Sequence, residues 1–93
     1  MMATRAQRIE QTLRAAFSPV VLEVVDESKR HAGHAGRNGV PVGETHYAVT
    51  MVAESLREKS RLERSRAVHE VLDAEFKSGL HALSLTLSAP ESA

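Results

Sequence analysis

Residues 26–46 read Asp-Glu-Ser-Lys-Arg-His-Ala-Gly-His-Ala-Gly-Arg-Asn-Gly-Val-Pro-Val-Gly-Glu-Thr-His. The stretch holds three of the five histidines and four of the five glycines, and it separates two segments with β character. Upstream, Val20-Val21-Leu22-Glu23-Val24-Val25 is β-branched, apolar and too short for a helix, so it reads as a first strand in a central or well-covered position. Downstream, residues 45–53 alternate, with Tyr47, Val49 and Met51 on one side and Ala48 and Thr50 on the other, the signature of a strand with one face on a core. A long structureless connection inside so small a chain is uncommon unless it is functional or disordered. The region between the two strands is therefore where function is sought first.

Outward from these strands the pattern becomes helical. Thr4 and Gln7 fit a capping box, and Ile9, Leu13, Ala16 and Phe17 recur at helical spacing, which predicts a helix over 5–17 stopped by Ser18-Pro19. Ser60 and Glu63 form a second box ahead of a helix with Leu62, Val68, Leu72 and Phe76 inside, ending at Ser78-Gly79. Residues 80–88 alternate again, Leu83, Leu85 and Leu87 against Ala82, Ser84 and Thr86, as a third strand. Residues 1–93 thus read as one domain of α+β class, α-β-β-α-β, with a core over 5–88, a long loop over 27–44 and a frayed tail over 89–93. Because strand–helix–strand crossovers are right-handed, the third strand is expected parallel to the second, while the first two run antiparallel. The loop, His46 and His81 then share one end of the sheet.

Composition narrows the chemistry. The 93 residues carry twelve basic and twelve acidic side chains, a balance without an overall electrostatic footprint for nucleic acid. There is no cysteine, so this chain alone cannot supply thiolate to a metal or form a disulfide. The start of the chain has no apolar leader pattern and no apolar run long enough for a membrane span, from which a cytoplasmic protein without a membrane partner is expected. No nucleophile elbow or phosphate loop is present, and three aromatic residues make no stacking platform for single strands.

The histidines are the remaining chemistry. On pattern alone, His81 reads as a half-buried hydrogen-bonding residue sharing the parity of Leu83, or as a ligand at the sheet's rim. His31 and His34, in His-Ala-Gly-His-Ala-Gly, read as solvated or as two flexible ligands closing on a metal held elsewhere. His46 reads as a structural hydrogen-bonder and His69 as packing on the second helix.

Several segments together resemble the BolA family over about residues 5–88. They are Arg8-Ile9-Glu10, Leu22-Glu23-Val24-Val25-Asp26-Glu27-Ser28, His31, Gly43-Glu44-Thr45-His46-Tyr47, Arg64-Ser65-Arg66, and Gly79-Leu80-His81-Ala82-Leu83-Ser84-Leu85. The resemblance implies a class II KH-like fold, with a three-stranded mixed sheet covered by helices on one face. It also implies a non-enzymatic role beside a monothiol CGFS glutaredoxin, with which a [2Fe-2S] cluster is shared, glutathione and the glutaredoxin supplying thiolates. In that arrangement His81 is a ligand, a second comes from His31 or His34, and the isolated chain holds no cluster. Iron–sulfur trafficking or iron sensing is the implied role. The alternative implied by the family is a DNA-binding transcriptional regulator, for which Arg61, Arg64, Arg66 and Lys77 would contact phosphates. A homodimer is a further assembly to test.

Overall fold

The structure is a computed structural model that describes residues 3–27 and 45–91. Helix α1 (Arg5–Phe17) leads into β1 (Val21–Asp26), and β2 (His46–Val52) is followed by a short 3-10 turn over Glu54–Leu56. Helices α2 (Arg61–Val71) and α3 (Asp73–Lys77) precede β3 (Ala82–Ser88). The sheet order is β1-β2-β3, β1 antiparallel to β2 and β2 parallel to β3, as the crossover rule requires. This is the mixed α+β arrangement expected, with helices on one face. The long-loop reading of 28–44, including His31 and His34, lies outside the described residues.

Both capping boxes form. The Gln7 N–H donates to Thr4 Oγ1 (3.2 Å) while Gln7 Oε1 accepts from the Thr4 N–H (2.9 Å). The Ser60 N–H donates to Glu63 Oε1 (2.7 Å) and the Glu63 N–H to Ser60 Oγ (3.2 Å). Satisfying otherwise orphaned amides in this way starts both helices where the sequence predicts. α1 ends on Ser18 in the left-handed region (φ 48°), and the Ser55 hydroxyl donates to the Phe17 carbonyl at 3.2 Å.

The core lies between α1, α2 and the inner face of β2: Ile9, Leu13, Met51, Leu56 and Val68 have no exposed surface. Burying each such side chain is worth about 1.5–3 kcal/mol, so this layer outweighs the surface ion pairs. Three expectations are corrected. β1 is an edge strand with Val21 and Val25 exposed, because only Leu22 and Val24 face the helices; an apolar run did not mean a central strand. The second helix is divided at buried Leu72, which leaves helical geometry (φ −98°, ψ 11°), and its expected inner residue Leu62 is exposed. The tail is partly held, since Arg57 Nη2 donates to the Pro90 carbonyl at 2.6 Å.

The division at Leu72 turns α3 back onto α1. Glu75 there accepts from Arg5 Nη1 at 2.8 Å, from Arg8 Nε at 2.9 Å and from Arg8 Nη2 at 3.0 Å. Arg5, only 7% exposed, also donates to the Glu75 carbonyl, the Ser78 hydroxyl and the Ser78 carbonyl. Gly79 follows at φ 125°, where a Cβ would be strained and would sit 3.2 Å from Arg5 Nη2. The Arg8 hydrogen bond, with Arg5 beside it, holds the Glu75 carboxyl below the usual carboxylate range. Glu75→Ala leaves Arg5 without its carboxylate partner and is expected to cost about 2–3 kcal/mol in urea denaturation at neutral pH. The contribution of Glu75 is complete above the ordinary carboxylate value and is lost as pH falls below it toward the lowered one. The gap between wild type and Glu75→Ala should therefore narrow in acid, and a pH-independent gap would refute the coupling.

Candidate functional site

Register places the histidines. Asp26 pairs with Tyr47 across the antiparallel ladder, and the Glu27 N–H donates to the His46 carbonyl at 2.8 Å. On the other side His46 pairs with Ala82 in the parallel ladder, and the Thr45 carbonyl accepts from both the His81 N–H (2.8 Å) and the Ala82 N–H (3.1 Å). Residues 27 and 45, the last described on either side of 28–44, and His81 therefore meet at one end of the sheet.

His81 is exposed there, not half-buried as strand parity with Leu83 suggested. It precedes the first β3 residue, so the alternation that turns Leu83 inward does not govern it. Half-buried His46 stands beside it, the two imidazole centroids 5.8 Å apart and their planes tilted by 39°. Thr45 Oγ1 lies 2.9 Å from His46 Nδ1, a hydrogen bond that orients the ring. The Thr45 contact gives His46 the structural hydrogen bond expected of it, and its register opposite Ala82 also brings it beside His81. Among the described residues, no three histidine or carboxylate side chains converge as a metal site, so a metal at His46 and His81 would need ligands from elsewhere.

His69 is exposed and packs only at the surface: it stacks on Phe76 (centroids 5.1 Å, 15°), with Nδ1 2.9 Å from the Ser65 carbonyl. The four cations considered for phosphate contact separate into two groups. Arg64 Nε donates to the Leu56 (2.9 Å) and Lys59 (3.1 Å) carbonyls and its Nη1 to the Leu87 carbonyl (3.3 Å), fastening α2 to β3. Lys77 is ion-paired with Asp73 at 2.8 Å on α3. Arg61 and Arg66 sit exposed on α2.

Comparison with known proteins accords with this geometry. The model of the BolA family, described as BolA-like protein, matches residues 13–92. The chain belongs to the BolA family. It is 44% identical over 80 residues to the DNA-binding transcriptional regulator BolA of Escherichia coli (strain K12), covering 85% of this chain and 70% of that one. SufE-like protein 1, chloroplastic/mitochondrial, of Arabidopsis thaliana is 41% identical over 91 residues, 96% of this chain but only 24% of the relative's length. The solved structure of BolA1 from Arabidopsis thaliana superposes with a TM-score of 0.84 at 37% identity, covering 97% of this chain and 96% of that one. Within this BolA fold, Arg64 is a brace between elements. Arg64→Ala is expected to lower stability by about 1–3 kcal/mol by leaving carbonyls unpartnered, measured by chemical denaturation; an unaffected midpoint would show that the brace is dispensable.

Proposed function

We propose that this BolA-family chain is a non-enzymatic partner of a monothiol glutaredoxin, contributing histidine to a shared [2Fe-2S] cluster in iron–sulfur trafficking or iron sensing. One observation carries the reading: an exposed imidazole, His81, with a second imidazole at its side, on an edge where this cysteine-free chain offers nitrogen and no sulfur. Such a donor set fits half of a mixed-ligand cluster whose thiolates come from the glutaredoxin and glutathione. Bound there, the cluster would supply an iron–sulfur centre with a potential and lability altered by imidazole in place of thiolate. His81 is the first ligand in this proposal. The second is His31 or His34, or His46, whose ring is already within reach of the same position. The compartment proposed is the cytoplasm.

Co-expression with a monothiol glutaredoxin, anaerobic purification, iron analysis and visible spectroscopy test this. His81→Ala is expected to bleach or shift the visible bands of the complex. Single alanines at His31, His34 and His46 should identify the second ligand by the same readout. Because only neutral imidazole binds metal, cluster retention should fall on acidification in wild type. A spectrum unchanged by His81→Ala sinks the ligand assignment.

The second reading, a DNA-binding regulator, is favoured by the name of the Escherichia coli relative. The geometry gives it less: with Arg64 and Lys77 already engaged, Arg61 and Arg66 remain for phosphates. Two such contacts per chain predict a slope of log K against log salt of only about −2. Duplex binding with a much steeper slope would require cations beyond these four.

A further inference from the structure

The hydrogen bonds of β3 settle which way its backbone points. The Ala82 N–H donates to the Thr45 carbonyl at 3.1 Å, and the Ser88 carbonyl accepts from the Ala53 N–H at 3.0 Å. In a parallel ladder, residues of one parity direct both their N–H and C=O groups to the neighbouring strand. Residues 82, 84, 86 and 88 therefore face β2, and Leu83, Leu85 and Leu87 direct their backbone groups away from the sheet. The Arg64 contact to the Leu87 carbonyl, made from the α2 side, agrees with this parity. Among the described residues, Arg64 is the one hydrogen-bond partner of the outer edge.

This edge borders a groove of about 710 Å³ between β3 and α2. Its floor is Leu83, Leu85 and Leu87, its rim at the Leu87 end is Lys59, Arg61 and Arg64, and among the described residues no carboxylate lines it. An open strand edge, an apolar floor and a basic end make a receptor for an added strand, in which main-chain hydrogen bonds give affinity and side-chain pockets give selectivity. Nucleic acid suits the groove less well. The floor is leucine, the one aromatic ring there is His69, and that ring is already stacked on Phe76.

We propose that the β3 edge and the α2–β3 groove bind an extended peptide that adds as a fourth strand, apolar at alternate positions and acidic at the end that meets Lys59 and Arg61. The bound strand pairs with the backbone of Leu83 and Leu85 and with the Leu87 N–H. Its inward side chains cover the leucines, and its carboxylates lie against the start of α2. The site is independent of the metal-ligating proposal, since it uses neither His81 nor His46.

The probe is a short synthetic peptide of alternating valine and threonine with glutamates at one end, titrated into the intact protein and followed by amide NMR and hydrogen exchange. A second version carries the glutamates at the opposite end, so that either strand direction is sampled. The Leu83, Leu85 and Leu87 amides should shift, and those of Leu83 and Leu85 should gain exchange protection. N-methylation of alternate peptide amides should abolish binding. Reversing charge in the double variant Lys59→Glu, Arg61→Glu should weaken it by about tenfold while the circular dichroism spectrum and the denaturation midpoint remain those of wild type. Absence of amide shifts with both peptides overturns the proposal. So does a lysine-ended peptide that binds equally well, or an oligothymidylate that occupies the groove in preference to the peptides.

Discussion

The structure depends on the direction of its last strand. The Thr45 carbonyl accepts two consecutive amides, those of His81 and Ala82, and thereby starts a parallel ladder that runs to Ser88. Were β3 antiparallel, Ser88 would stand beside His46 and His81 would lie at the far end of the sheet. A parallel β3 must be reached by a crossover, and the helices of that crossover cover the inner face together with α1. One constraint thus sets both the core and the meeting of residues 35 positions apart in sequence, and no energetic argument about histidine is needed to explain their proximity.

The crossover also has to be closed against α1, and here the chain uses charge. Glu75 lies on a five-residue helix that has no buried residue of its own. Its one apolar anchor is partly buried Phe76, and a carboxylate shared by two guanidiniums adds to this by fixing its position and orientation. The buried end of this arrangement is Arg5, whose charge would be costly without Glu75 and the Ser78 groups. The interaction accordingly specifies how α3 docks as well as adding stability. By positioning Gly79 and Leu80, it also sets where β3 begins.

Much of this was legible in the residues, and the failures have particular causes. The span of α1, Arg5–Phe17, was readable because a reciprocal cap and a serine–proline stop bound it. Strand direction followed from handedness. The edge position of β1 did not, because exposed Val21 and Val25 are indistinguishable in sequence from buried valines. The break at Leu72 carries neither glycine nor proline, so nothing local marks it. Arg5 and Glu75 are 70 residues apart, and a helix-initial arginine looks like any solvated charge until the fold brings its partner. At the sheet's rim, topology placed His81, and its exposure agrees with the accessible-rim alternative rather than with the half-buried one that strand parity suggested. His46 opens β2 and is hydrogen-bonded as its place in the sequence suggested, and the register that placed His81 sets it alongside.

His81 and the basic end of the groove lie at opposite ends of one strand. His81 precedes β3, while the basic end of the groove lies beside Leu87, six residues further along. At about 3.3 Å per residue that separation is roughly 20 Å, wider than the reach of one side chain. A metal shared at the His81 end, as proposed, would therefore leave the backbone of Leu85 and the cations at the start of α2 uncovered by the ligands themselves. Whether one partner bridges both ends is then a matter of its size and not of competition for the same atoms. The strand that aligns the histidines is also the strand that, among the described residues, has a strand neighbour on one side only: β2 pairs with one edge of β3, and Arg64 meets the other at the Leu87 carbonyl.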